Sequence, residues 1–314
     1  MRGREGEFIS STIHSSQVND EPVDQTHASC IASELRFGIG LKKVGDREMD
    51  SELVLERRDA NALWLTLNQP EKRNPLSSSM IATLSGLLEK GYADETVRAI
   101  VLASTGPVFS AGHDLSEMNQ RADEDAAAFS ERVASILEKC ATMMMGMVNA
   151  PKPVIACVQG TATAAGCQLV SACDLAIAAS DAGFCTPGVN VGVFCTTPLV
   201  GIGRNLSRKH AMEMALTGDI FSADDAVKFG LINRHVSGNE LHKETEALAS
   251  KIASRSAQSI RDGKHIFYRQ IEMPLSDAFS LANEAMRAAV TKTEDAEEGR
   301  RAFLDKNIPK WDGL

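Results

Sequence analysis

Three short runs of uninterrupted apolar residues constrain this chain more than any other feature. They are Ala99-Ile100-Val101-Leu102-Ala103, the run from Pro153 to Val158, and the run from Leu175 to Ala179. A strand that is apolar at every position, not at alternate ones, is buried on both faces, as in a parallel sheet covered on both sides. The stretches between the runs carry helical periodicity. Ser77 is placed to cap a helix running to about Tyr92, with Met80, Leu84, Leu87 and Leu88 on one face. A long helix follows from about Glu124 to Met147. Its stripe Phe129, Val133, Ile136, Leu137 and Cys140 continues into Met143, Met144, Met145 and Met147, which reads as core or as a deformable pocket wall. A short helix is expected from Ala164 to Cys173. Earlier in the chain, Leu53-Val54-Leu55 and Ala62 to Leu67 read as strands joined by the turn Arg58-Asp59-Ala60-Asn61. Strands alternating with helices specify an α/β fold with parallel pairing.

The pattern changes at both ends. After Glu240 the strands stop and helices follow at about 240–255, 257–272, 275–292 and 294–305. Residues 1–50 show no sustained apolar period and read as a disordered extension or a targeting segment. Arg2, Arg4 and the Ser/Thr content suit a transit peptide, whereas Glu5, Glu7, Asp20, Glu21 and Asp24 do not. The expected organisation is therefore an extension over 1–50, an α/β core over 51–240 and a helical domain over 241–314.

Charge and cysteine usage narrow the class. With 33 Lys plus Arg against 42 Asp plus Glu, the net charge of −9 argues against a nucleic-acid binder. No apolar run approaches the ~18 residues of a membrane span. Seven cysteines without a C-x-x-C pair point to a reducing compartment and not to a disulfide scaffold, and neither they nor the seven histidines have metal-ligand spacing.

Two junctions are candidates for chemistry. Phe109-Ser110-Ala111-Gly112-His113-Asp114-Leu115 follows one buried strand, and the run from Val158 to Leu169 leads from another into a helix. Small residues there let a second backbone or a ligand approach closely. Ligands of parallel α/β sheets collect beyond the carboxyl ends of the strands. Two such turns together can aim backbone N–H groups at one oxygen, which is what an oxyanion hole requires. Tight packing is the competing explanation for each turn.

Five segments then occur in a familiar order: Leu67 to Leu76, Phe109 to Leu115, Val158 to Asp174, Leu216-Thr217-Gly218 with Ala226 to Leu231, and Thr293 to Phe303. With them the chain resembles the crotonase superfamily, the enoyl-CoA hydratase/isomerase family, over residues 51–314. The run Thr186-Pro187-Gly188-Val189-Asn190-Val191-Gly192 is most similar to one branch of it. The resemblance implies a crotonase-like spiral of repeated strand–strand–helix units with a C-terminal all-helical trimerisation domain, assembled as a homotrimer or a dimer of trimers. It implies an acyl-CoA ligand, with coenzyme A as part of the substrate thioester and no tightly bound cofactor. It also makes the mitochondrion the expected compartment, with the cytoplasm as the alternative. Carried across residue by residue, the backbone N–H groups of His113 and Ala165 form the oxyanion hole. Arg73, Pro75, Leu76, Ala111, Asp114 and Leu115 line the CoA site, while Phe303 and Lys306 reach the nucleotide end of CoA on a neighbouring subunit.

The same comparison exposes a departure. Hydratases of the family use two carboxylates, and their positions here hold Gln168, an amide that cannot exchange a proton, and Gly188, which has no side chain. Ala164-Ala165-Gly166 replaces a run of glycines, which narrows the approach to the hole. Cys195 reads as a packing residue, with a catalytic thiol as the alternative. Asp114 is expected to cap a following helix, and Gln168 to hydrogen-bond a local backbone or ligand group. Weak or absent hydratase activity is the expectation. The alternatives are decarboxylation of a malonyl-type thioester, a catalytically silent acyl-CoA binder, and a structural partner in oligomers of active relatives.

Overall fold

The computed structural model describes residues 52–311, so the expectations for residues 1–50 lie outside the described residues. Strand β1 (Val54–Asp59) turns through Ala60 and Asn61 into the antiparallel β2 (Ala62–Leu67). The turn is two residues long, because Arg58 and Asp59 extend β1 and are not part of the bend. Helix α1 (Ser78–Ala93) follows, with the Ser77 side chain accepting from the N–H of Met80 as its cap. Next come β3 (Ala99–Ser104), β4 (Val108–Ser110) and α2 (Ala126–Val148), then β5 (Val154–Val158), β6 (Thr161–Thr163) and α3 (Ala165–Ser171). The third repeat opens with β7 (Leu175–Ala179) and β8 (Gly183–Cys185). It continues through α4 (Pro198–Asn205), α5 (Arg208–Thr217), β9 (Phe221–Ser222), α6 (Ala223–Phe229) and β10 (Arg234–Val236).

Successive long strands enter one sheet and the short strands after them enter another. The first sheet runs β1-β2-β3-β5-β7-β10, parallel from β2 onward; the second runs β4-β6-β8-β9. This is the strand–strand–helix spiral expected above. The second sheet was missing from the sequence-based description because its strands are two or three residues long, too short to carry a period. Pairing is also not parallel throughout, since β8 and β9 run antiparallel as β1 and β2 do.

All six residues of β3 and all five of β5 are buried, and they serve two cores. Alternate side chains point to opposite faces of a strand. Leu63, Leu65, Ile100, Leu102, Val154 and Ala156 pack on one side, toward α1 and α2. Trp64, Val101, Ile155 and Ile177 pack on the other, under Leu241 and Ala249 of α7 (Leu241–Ala253). Met143, Met144 and Met147 of α2 join the first core, while Met145 stays exposed. The chain ends in α8 (Ala257–Gln270), α9 (Leu275–Lys292) and α10 (Glu294–Leu304).

A buried ion pair pins α8 to the sheet. The Lys264 ammonium donates to Asp174 Oδ2 at 2.7 Å and to the carbonyls of Met147 and Lys152 at 2.9 and 3.1 Å. Asp174 also accepts from the N–H of Val154 at 2.7 Å and from the Tyr268 hydroxyl at 3.0 Å. Burial pushes the Lys264 ammonium down and Asp174 opposes the shift. Removing one partner of such a pair leaves an uncompensated buried charge, so Lys264→Met lowers stability by about 3 kcal/mol. Lys264→Met combined with Asp174→Leu recovers much of that loss. Thermal unfolding of both variants checks it.

Candidate functional site

The site starts in the loop after β2. Asn74 is fully buried; its Oδ1 accepts from Gln69 N at 2.7 Å and its Nδ2 donates to the carbonyls of Thr105 and Val108 at 2.8 and 2.9 Å. Arg73 and Asn74 both take left-handed backbone angles, with φ of 64° and 49°. Asn tolerates that region better than most residues because its short polar side chain bonds locally. This places the chain from Arg73 to Leu76 alongside the strand end after β4. The N–H of Ala111 donates to Arg73 O at 2.9 Å, and the N–H of Leu76 to Gly112 O at 2.7 Å.

The two junctions meet at Gly112. Its φ is +83°, and a Cβ built on it would stand 3.0 Å from Thr163 O, 3.1 Å from the Ala164 methyl and 3.1 Å from Ala165 N. Next to it, a Cβ on Gly166 would lie 2.8 Å from Ser110 Cβ and collide with Ser110 O. The backbone after β4 therefore rests directly on the start of α3. The N–H groups of His113 and Ala165 bond to no acceptor among the described residues.

A cleft of about 440 Å³ opens at His113, lined by Lys72, Pro75, Ala111, His113, Asp114 and Leu115 among others. The His113 ring forms part of its wall, yet Nε2 is sealed and has no partner among the described residues. Burial lowers the affinity of that imidazole for a proton, and Glu117 offsets part of the effect. Among the described residues, no group of three His, Cys, Asp or Glu side chains is placed to hold a metal ion. No helix there is long and apolar enough to cross a membrane.

Comparison with known proteins gives the family. The family model for enoyl-CoA hydratase/isomerase matches residues 57–313. The chain belongs to the enoyl-CoA hydratase/isomerase family. It is 39% identical over 264 residues to the mitochondrial enoyl-CoA hydratase domain-containing protein 3 of Rattus norvegicus, covering 84% of this chain and 86% of the relative. The crystal structure of the human protein of that name superposes with a TM-score of 0.79 at 39% identity, over 83% of this chain and all of that one. An enoyl-CoA hydratase structure from Mycobacterium smegmatis gives a TM-score of 0.78 at 44% identity, over 84% of this chain and all of that one. The run from Thr186 to Gly192 thus pointed to the branch that these relatives represent.

Within this crotonase fold the expected site residues separate into groups. Pro75, Ala111, His113, Asp114 and Leu115 lie around one cleft. Leu76 is fully buried beneath it, and Arg73 is exposed at its edge. Phe303, 82% exposed, and Lys306, with φ of 59°, sit at the end of α10 and do not line the cleft of their own chain. One local expectation needs correction. Asp114 caps no helix: its Oδ1 accepts from the N–H and hydroxyl of Ser116 at 2.9 and 2.7 Å, closing a turn, and α2 begins later behind Asp125. Of the two partners expected for the Gln168 side chain, no local backbone group bonds its buried Oε1 among the described residues, which leaves the ligand group. Gly188 does not occupy the left-handed region. A side chain there is opposed instead by contact, since a Cβ would lie 2.7 Å from Val193 O and 2.8 Å from Cys195 Sγ. Asn74 lay inside a noted motif without an assigned role, and its Asn-Pro sequence in a loop was the available signal.

Cys195 is buried, which pushes its thiol up, while a hydrogen bond from the Gly188 backbone pulls the other way. Ala164 is the strained residue of the site, at φ 51° and ψ −119°, with its N–H donated to Cys185 O at 3.0 Å. A left-handed backbone costs an L-residue roughly 1–2 kcal/mol, whereas glycine pays more only in unfolded-chain entropy. Ala164→Gly is therefore expected to raise stability by about 0.5–1 kcal/mol, read as an increase in Tm.

Proposed function

We propose that the protein binds an acyl-CoA thioester with its carbonyl between the backbone N–H groups of His113 and Ala165. The observation that supports this reading is the close approach of Gly112 to Ala164 and Ala165, which brings together the segments carrying two N–H groups that bond to no acceptor among the described residues. Donors fixed in this way stabilise negative charge on a thioester oxygen without reorganising as the charge develops. The acyl-CoA ligand is suggested by the family, and coenzyme A enters as part of the substrate. Lys306 is assigned to the phosphate end of CoA on a neighbouring subunit. The relatives are named as mitochondrial, and we place this chain in the same compartment.

Hydration is not the activity that this site favours. Each general acid or base contributes about 10²–10⁴-fold, and neither Gln168 nor Gly188 can serve. The crowding at Gly188 favours chemistry without a base at that position, because the Val193–Cys195 chain fills the space where a side chain would begin. Decarboxylation of a malonyl-type thioester fits: departure of CO₂ leaves the electron pair of the broken C–C bond as an enolate. The two N–H groups would hold that enolate oxygen, and solvent would supply the proton to Cα.

Isothermal calorimetry should detect CoA-thioester binding that weakens with salt and with Lys306→Ala, as expected for a phosphate contact. Crotonyl-CoA hydration should stay near background in the same preparation and in Gln168→Glu. Failure to bind any CoA thioester at millimolar ligand contradicts the binding claim, and rapid hydration contradicts the assignment of the acid–base positions.

The helices after Ser256 support oligomerisation. Phe267, Ile271, Leu275, Phe279, Met286 and Val290 are all exposed, Leu275 by 75% and Met286 by 66%, and large exposed apolar side chains gathered on neighbouring helices are a mark of interfaces. Sedimentation at micromolar concentration should give the mass of three or six chains. A single-chain mass contradicts the assembly.

A further inference from the structure

A second cavity, of about 200 Å³, opens at the other end of the long sheet. The cleft at His113 lies past the carboxyl ends of the strands. This cavity is walled instead by Val97 and Arg98, which lead into β3, and by Pro151, Lys152 and Pro153, which lead into β5. Its remaining walls include Ile252 of α7 and, in the first turns of α8, Ala257, Ile260 and Arg261. The two cavities share no lining residue. Pro151 and Pro153 flank Lys152, and a proline fixes its own φ and restricts the residue before it, so this wall is set before any ligand arrives.

The lining carries an excess of positive charge. Arg98, Lys152 and Arg261 stand in it against one carboxylate, the exposed Glu95. Neither Arg98 nor Lys152 forms an ion pair among the described residues. Arg98 Nη2 donates to Arg255 O at 2.8 Å, and the Lys152 ammonium donates to the carbonyls of Gly91 and Asp94. Arg261 pairs only with its exposed neighbour Asp262, at 2.9 Å. Burial pushes the Lys152 ammonium down; Asp94 opposes that shift and Arg98 adds to it. Ala257 begins the fourteen-residue α8, so the positive end of that helix dipole also lies at the wall. Val97, Ile252 and Ile260 make the rest of the lining apolar.

We propose that this cavity is a second ligand site, for a small carboxylate with a short aliphatic body. It goes beyond the acyl-CoA reading and does not depend on it. Two cations without a counter-charge and the start of a helix supply what a carboxylate needs, namely charge-assisted donors and a favourable dipole. The apolar walls select a hydrocarbon body over a hydrated inorganic anion, which would give up water to Val97, Ile252 and Ile260 without replacement hydrogen bonds. The volume sets the length. Sites for drug-sized ligands run to ~300–1,000 Å³, so this smaller one suits an acid of about six carbons and excludes a coenzyme A thioester.

Calorimetry on the full chain with hexanoate, hexanol and inorganic phosphate tests this. Hexanoate should bind at millimolar concentration, and hexanol about tenfold more weakly, because a neutral hydroxyl forgoes the charge-assisted bonds. Phosphate should not displace hexanoate. Arg98→Gln, and Arg261→Gln as an exposed second variant, should each weaken hexanoate about threefold while leaving hexanol unchanged. Wild-type affinity for hexanoate in both folded variants puts the binding elsewhere and overturns the proposal. Equal affinity for hexanol, displacement by phosphate, or no binding of hexanoate at millimolar ligand also overturns it. None of these results touches the cleft at His113, and CoA-thioester affinity should be the same in Arg98→Gln as in the wild type.

Discussion

The site depends on one backbone-to-backbone contact, between the chain leaving β4 and the chain entering α3. Ser110 lies against Gly166, and Gly112 lies against Thr163, Ala164 and Ala165, at separations that leave no room for a side chain on either glycine. Any Cβ at these two positions would push apart the segments that bear the free N–H groups of His113 and Ala165. The second sheet serves this contact. Strands β4, β6 and β8 are only three residues each, yet their pairing fixes the height at which each junction leaves the fold. The long sheet supplies the burial that holds the short one in place.

Strain and support are distributed accordingly. Three non-glycine residues with positive φ border the site, namely Arg73, Asn74 and Ala164. Such conformations persist only where surrounding structure over-determines them. Asn74 meets that condition with three side-chain hydrogen bonds to the backbone of Gln69, Thr105 and Val108, and Ala164 with its bond to Cys185. At the start of α1, Glu117 accepts from both the N–H and the hydroxyl of Ser78 at 2.7 Å, tying the loop after His113 to the first turn of that helix. The cleft wall is thus held at both ends by bonds within the chain.

What was legible in the sequence follows the physics of period and length. The runs at 99–103, 153–158 and 175–179 are apolar throughout because two cores use alternate residues, and their strands appear within a residue of the expected limits. The helices after Glu240 carry long stripes and were equally readable. Strands β4, β6, β8 and β9 were not, because two or three residues define no period. The His113 and Ala165 segments were recognisable from small residues at strand ends. The contact between them was not, because it depends on a non-local pairing of β4 with β6, Ser110 opposite Ala162, between residues with no shared local pattern. For the same reason Asn74 passed as an ordinary loop residue, although its side chain joins three separate parts of the backbone.

On the reading proposed above, the two positions without a carboxylate, 168 and 188, differ in physical standing. At 168 the change is chemical: Gln and Glu share a shape, and the position already holds a side chain of that size. At 188 the change is architectural. The short helical turn Pro187–Val191 brings Val193 and Cys195 back over Gly188, where Val193 N bonds to Gly188 O at 3.0 Å and the Cys195 sulfur occupies the direction a side chain would take. A glutamate at 188 would need that loop to open first, so the two carboxylates cannot be restored as independent substitutions. On that reading the absence of a side chain at 188 is built into the backbone course of the loop, whereas at 168 only the chemistry of the side chain differs.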